Sequence, residues 1–261
     1  MARCATCATR PRRTRKYVIV SFCRIDVSMP KPQPASISDH QREYVEGGYF
    51  ATRLSHDPRR QQLWKVLCSY LQSEIPTWSA VLELGGGYCD FINNIQAAEK
   101  HVLDLCPDIS EFAAEGVVTH VQPCSELDKF PGERFDAVFA SNLFEHLTRE
   151  ELLTSLSGIR RILRPGGKLL IIQPNFRYAY KSYFDDYTHI GIFTDISLAD
   201  LLKTFGFHID KVVPRFLPFS LRGRGPKWPW LLRLYLNLPY RPMAGQMYIT
   251  CSKTGSSDTR K

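Results

Sequence analysis

From Trp78 onward the apolar positions of the chain alternate between two rhythms. Short runs at "AVLEL" (80–84), "HVLDL" (101–105), "VVTHVQ" (117–122), "FDAVFAS" (135–141) and "KLLIIQ" (168–173) have the length and residue types of strands. Segments of helical type lie between them. "DFINNIQAA" (90–98) is one, and "PDISEFAA" (107–114), opened by Pro107 with Gly116 just past its end, is a second. "TREELLTSLSGIRRIL" (148–163) opens on a capping box from Thr148 to Glu151, and the turn "RPGG" (164–167) leads from it into the fifth strand. After a long loop, 174–193, the helix "SLADLLKTFGF" ends at Gly206, and "HIDKVV" and "GQMYITCS" supply two last strands. Upstream, Asp57 as N-cap and Pro58 at the first helical position open a helix whose buried face is Leu63, Val66, Leu67, Tyr70 and Leu71. Strands alternating with helices predict a mostly parallel sheet with helices on both faces, which binds ligands beyond the carboxyl ends of its strands.

The remaining segments frame this region. Residues 39–56 read as a short helix broken at Gly47-Gly48, and "MPKPQPASIS" (29–38) reads as a Pro/Ser linker. Residues 1–28 carry seven Lys/Arg against one Asp, with an apolar stretch of only Tyr17–Cys23 followed by Arg24 and Asp26 and no A-x-A site. They fit a secretory signal poorly; a transit peptide is one alternative, and the preferred reading is a disordered basic extension, with Met29 as a candidate start. The domain expectation is therefore an extension and linker over 1–38, one domain over 39–251, and a disordered tail over 252–261. Residues 211–241 hold seven Lys/Arg and no acid, so the formal net charge of +8 is concentrated in two patches, and the chain is not a uniformly basic nucleic-acid binder. Of the eight cysteines only Cys4 and Cys7 have metal spacing, and they lack a second pair, so no metal is expected. The unpaired cysteines and the lack of a long apolar run suit a cytoplasmic protein.

Candidate chemistry begins at "VLELGGGYCDF" (81–91). A strand, a glycine turn and a helix start together form a cradle for a nucleotide: Gly85 permits the sharp turn, and Gly86 and Gly87 let the backbone approach the ligand. The dinucleotide fingerprint fails, because its sixth position is Asp90, and a phosphate loop would need a lysine that is missing. These residues resemble the first motif of the class I S-adenosyl-L-methionine (SAM)-dependent methyltransferases, with Glu83, Gly85 and Gly87 matching and Cys89 in place of the third glycine. Later features follow in the family's order. Asp104 ends the second strand, where the family keeps an acid for both ribose hydroxyls. "FDAVFASNLFEHL" (135–147) is similar to the fourth-strand segment of the type 11 and type 23 families, which implies that Ser141, Asn142 and Leu143 lie beside the methionine part of the cofactor. "RILRPGGKLLII" (161–172) reproduces their fifth-strand approach. His146 is read equally as a local cap. Where an acid usually holds the adenine, Pro123 stands, with Cys124 and Ser125 offering backbone groups or a hydroxyl. The resemblance implies a Rossmann-like, seven-stranded, mostly parallel α/β sheet with an antiparallel last strand.

Methyl transfer needs alignment and, for an oxygen or nitrogen acceptor, a base. The loop "QPNFRYAYKSYFDDYTHIGIFTDISL" is too rich in tyrosine and titratable groups for a connector. His189 is the preferred general base, oriented by Asp185 or Asp186; the alternative is that His189 only anchors the loop. In 214–242 Pro229 opens a short helix of Leu, Trp and Tyr, which suits either a hydrophobic cap on the domain or peripheral contact with a membrane. The expected acceptor is a small or lipid-linked molecule and not a nucleic acid. Two alternatives are a SAM-binding fold without catalysis, serving as a partner subunit, and an NAD-type Rossmann oxidoreductase or epimerase, which Asp90 disfavours.

Overall fold

The computed structural model describes residues 57–218 and 228–254. The basic extension and linker, the segment around Gly47-Gly48, residues 219–227 and the tail from 255 onward lie outside the described residues. Seven strands form one sheet: β1 (Ala80–Leu84), β2 (Glu99–Asp104), β3 (Val117–Val121), β4 (Phe135–Ser141), β5 (Leu163–Pro174), β6 (Phe207–Val213) and β7 (Gln246–Lys253). Their spatial order is β3-β2-β1-β4-β5-β7-β6. The first five pair in parallel, and β7 inserts antiparallel to both β5 and β6. The α/β class, the strand count and the antiparallel last strand are as the sequence predicts. The last strand runs on to Lys253, two residues beyond the expected domain end.

Four longer helices cover the sheet: α1 (Pro58–Leu71), α2 (Arg149–Ile162), α3 (Asp195–Thr204) and α4 (Pro229–Asn237). The strand runs look uniformly apolar because both faces are buried, and their period of two becomes visible only in the packing. Leu82, Leu84, Val138, Ala140, Leu169 and Ile171 face one core, which α2 and α3 close with Leu152, Leu156, Ile159, Leu198 and Leu202. Val81, Ala137, Phe139, Leu170 and Ile172 face the other, closed by Leu63, Leu67 and Leu71 of α1 and by Leu232 and Leu236 of α4. The N-terminal caps follow the sequence signals. Asp57 accepts from the Arg59 N–H, and Thr148 and Glu151 make the reciprocal pair that opens α2.

Three local expectations are corrected. No helix forms over 90–98; the segment is a run of turns in which Asn93 N–H bonds Cys89 O and Ile95 N–H bonds Phe91 O. Its asparagines hold neighbouring backbone: Asn93 donates to Phe112 O and accepts from the Ala114 N–H, while Asn94 donates to Asp90 O. Such side-chain bonds compete with a helical ladder. The helix expected over 107–114 shrinks to one turn, Ile109–Phe112. The "RPGG" segment is not a turn between elements but a bulge inside β5, since Leu163 pairs with Phe135 and Lys168 with Ala137.

Gly86 shows how tightly β1 and β2 approach at their ends. A Cβ there would lie 2.2 Å from Val102 Cγ2 and 3.2 Å from Ile109 Cδ1. Val102 is buried, and its β-branched side chain is stiff at χ1. Gly86→Ala is therefore expected to lower stability by about 1–3 kcal/mol, the usual cost of overpacking a core. The shift of the urea midpoint at unchanged slope measures it, and an unshifted midpoint would contradict the close approach.

Candidate active site

The carboxyl ends of β1, β2, β4 and β5 bring most of the predicted residues together. Gly85 and Gly87 hold left-handed backbone, at φ +68° and +53°. The N–H groups of Gly85 and Gly86 both donate to Leu103 O, which ties the turn to β2. Asp104 is buried and accepts from the Gly87 and Cys106 N–H groups, each at 2.8 Å. Burial raises its pKa above the usual carboxylate value, and those N–H groups oppose the rise. Glu83 does not reach outward. Its carboxylate is buried, accepts from the Ile92 N–H at 3.0 Å, and is pushed well up by burial. It fixes the turn from behind. Asp90, the residue that breaks the dinucleotide pattern, pairs with Arg60 of α1 at 2.9 Å.

The segment after β4 completes this side. Asn142 holds φ +50°, a conformation asparagine tolerates, and its side chain bonds Ser141 Oγ and Gln246 Nε2. Leu143 packs against the glycine turn so closely that a Cβ on Gly85 would lie 3.0 Å from Leu143 Cδ1. The group implied by the resemblance fits these residues. The turn carries no side chain where β1, β2 and the segment after β4 converge, and the two oxygens of Asp104 keep acceptor capacity beyond their bonds to backbone N–H groups. Cys124, by contrast, turns into the core, where Ser155 Oγ donates to its sulfur, while Ser125 stays half-buried.

The loop after β5 forms the opposite wall. Asn175, fully buried, anchors it: its backbone N–H donates to Gly245 O, and its amide donates to Asp195 Oδ1 and Pro214 O. His189 is buried, with Nδ1 2.7 Å from Tyr183 O, and its ring lies 4.8 Å from that of His146. Asp186 is half-buried and holds Thr188, while Asp185 is exposed on the turn Tyr183–Asp185. Interaction with Thr188, His189 and His146 keeps the Asp186 carboxyl below its ordinary value, against the burial that pushes it up. Two residues gain weight that the sequence reading did not give them. His146 bonds Thr188, and the neighbouring Glu145 is fully buried, with burial pushing its pKa up to about 8. An acid between Phe144 and His146, at the end of an apolar strand, was the signal for it.

With this geometry in place, the comparisons are consistent. Residues 82–171 match the family model described as "Methyltransferase domain". A phosphoethanolamine N-methyltransferase of Plasmodium falciparum is 31% identical over 101 residues, which is 36% of this chain and 38% of that protein. The chain thus matches little more than a third of that relative's length. A SAM-dependent methyltransferase from Archaeoglobus fulgidus shares the fold at TM-score 0.54 and 20% identity, over 73% of this chain and 94% of that one. The 1,6-didemethyltoxoflavin-N1-methyltransferase of Burkholderia thailandensis, solved with S-adenosylhomocysteine, does so at TM-score 0.55 and 20% identity, over 88% and 94%. Residues 82–171 thus match a methyltransferase domain, the fold is shared with SAM-dependent methyltransferases, and SAM is the cofactor of such domains.

The role of Glu83 behind the turn yields a prediction. Glu83→Ala leaves the buried Ile92 N–H without its acceptor and is expected to cost about 1–3 kcal/mol. Glu83→Gln keeps an acceptor and removes the buried charge, so it should cost less than half as much. Chemical unfolding of both variants checks the order; equal losses would contradict it.

Proposed function

We propose that this protein transfers a methyl group from SAM to a small polar molecule presented at a membrane surface, most simply as the headgroup of a lipid-linked acceptor. SAM supplies a methyl on a sulfonium centre, whose leaving group is a neutral thioether. The protein's share is then binding and alignment. Asp104 accepts the ribose hydroxyls, the Gly85–Gly87 turn admits the cofactor against bare backbone, and Asn142 and Leu143 flank its methionine part. The loop 175–193 forms the acceptor wall.

One observation carries the membrane part of this reading. Fourteen of the seventeen exposed large apolar side chains among the described residues fall in two segments, 178–196 and 228–243. Both segments leave the sheet at the carboxyl ends of β5 and β6, the edge where the acceptor must enter. They meet at Arg215, whose guanidinium lies 5.0 Å from the Tyr178 ring and 4.8 Å from the Tyr240 ring. Helix α4 is apolar on two sides. Leu232 and Leu236 pack on the domain, while Trp230, 61% exposed, and Leu234, 54% exposed, point away from it. The cap and membrane readings of this helix are thus compatible. The seven Lys/Arg of 211–241 add attraction to anionic headgroups, worth about 1 kcal/mol for each residue near the surface. No helix among the described residues is long and apolar enough to cross a membrane, so the contact proposed is peripheral. The small-molecule acceptors in the names of the related N-methyltransferases support the acceptor's size class.

Two measurements test this. Asp104→Ala should weaken SAM binding by about 1.5–3 kcal/mol in calorimetry, the worth of hydrogen bonds to a charged acceptor; unchanged affinity would remove Asp104 from the cofactor site. The parent protein should bind anionic vesicles more than neutral ones, and salt should weaken that binding. The double variant Trp230→Ser, Leu234→Ser should lose vesicle binding. Its thermal midpoint without lipid should stay close to the parent's, because exposed substitutions usually change stability by under about 0.5 kcal/mol. A parent that ignores anionic vesicles would leave a soluble acceptor.

A further inference from the structure

The loop that forms the acceptor wall closes over a buried polar centre. Glu145 is 0% exposed, and neither of its carboxylate oxygens has a hydrogen-bond partner. A carboxylate withdrawn from water without donors is costly, and such groups are normally paired or bound to a metal. The groups around it are two imidazoles. One ligand atom from each of Glu145, His146 and His189 can be chosen so that all three lie within 4.8 Å of one another, and all three residues are buried.

The hydrogen bonds of the two rings fix their tautomers. His189 Nδ1 lies 2.7 Å from Tyr183 O, and His146 Nδ1 lies 3.2 Å from Thr188 O and 3.0 Å from Thr188 Oγ1. A carbonyl oxygen only accepts, and the Thr188 hydroxyl spends its proton on Asp186 Oδ1 at 2.6 Å. Both rings therefore donate from Nδ1, which makes Nε2 the lone-pair nitrogen of each neutral ring. A metal-ligating histidine is normally held in this way, its other nitrogen donating to a backbone carbonyl or a carboxylate system. Asp186 is near enough to act electrostatically on Glu145, His146 and His189, so a second carboxylate adds negative charge at the same point.

We infer that Glu145, His146 and His189 form a binding site for a divalent transition-metal ion of the zinc type, located where the end of β4 meets the loop after β5. Two imidazoles and one carboxylate are a donor set zinc accepts, with a fourth position left for Asp186, water or an acceptor oxygen. Bond lengths of about 2.0–2.2 Å place tetrahedral ligand atoms about 3.4 Å apart, so the three must draw together by up to about 1.4 Å on binding. Glu145 has the side-chain torsions for that movement. The ion would clasp the loop to the sheet, since Glu145 O already accepts from the Ile190 and Gly191 N–H groups.

The test uses the full chain, with Cys4→Ser and Cys7→Ser to remove the CxxC pair, stripped of metal with EDTA and studied without SAM or acceptor. Calorimetric titration with Zn²⁺ should show one equivalent bound, and the thermal midpoint should rise by several degrees. Glu145→Gln should weaken binding at least 10-fold. In EDTA this variant should be no less stable than the parent, because it removes an unpartnered buried carboxylate. Thr188→Val, which keeps all three ligands and removes the Thr188 hydroxyl from His146 Nδ1, should weaken binding about 10–100-fold, the usual effect of losing an outer-shell partner. Absence of saturable Zn²⁺ binding would overturn the inference, as would Zn²⁺ binding that Glu145→Gln leaves unchanged. A Glu145→Gln variant that is destabilised in EDTA and blind to zinc assigns the centre to folding alone and would overturn it equally.

Discussion

Parallel strands need crossover connections, and those connections cover both faces of the sheet with helices. In this protein that leaves the carboxyl ends of the strands as the place where backbone can be irregular without orphaning buried polar groups. Everything that distinguishes the molecule follows from this. The glycine turn, the left-handed Asn142, the loop after β5 and the insertion before β7 all lie at that one edge. Asn175 joins the last two, bonding Gly245 and Pro214 at the two ends of the insertion, and Asp195 at the start of α3, from a single buried amide and N–H. Because β7 runs antiparallel between β5 and β6, it starts at the same edge where β5 and β6 end, so the insertion is brought beside the loop.

The turn after β1 uses buried charge to hold shape. Glu83 and Asp104 both lose water, and both are compensated by backbone N–H groups from the turn they enclose. That arrangement costs desolvation and returns rigidity at the glycine turn. Cys89 illustrates how strongly the fold dictates conformation here. It occupies the position of the motif's third glycine and still adopts φ +57°, with its sulfur buried against Ile109 O.

The side formed by the loop after β5 and α4 is built on the opposite principle. Its outer surface is apolar and exposed, from Tyr180 and Phe184 on the loop to Trp230 on α4, while its interior is the polar centre of Glu145, His146 and His189. Tyr183 links the two layers: its ring sits 4.8 Å from that of His189, and its hydroxyl donates to Gly191 O. An exposed apolar surface and a dry interior holding titratable groups thus share one 20-residue loop.

The alternation of apolar runs and helical segments determined the class, the strand count and the motif order, because each depends on local periodicity and local caps. The places of Glu83, Gly85, Gly86, Gly87 and Asp104 at strand ends were legible for the same reason, but that the Glu83 carboxylate turns inward to the Ile92 N–H was not. The failures were also local in origin but tertiary in cause. Residues 90–98 have the composition of a helix, yet Asn93 bonds Phe112 and Ala114, partners that arrive only when the next crossover packs. His189 could be singled out as a titratable residue in a rich loop, but its neighbours could not be read from spacing. Glu145 and His146 are more than forty positions away in the chain. The loop's hydrogen bonds to Glu145 O bring them together, so tertiary structure alone decided that a histidine, a second histidine and an unpartnered carboxylate would meet.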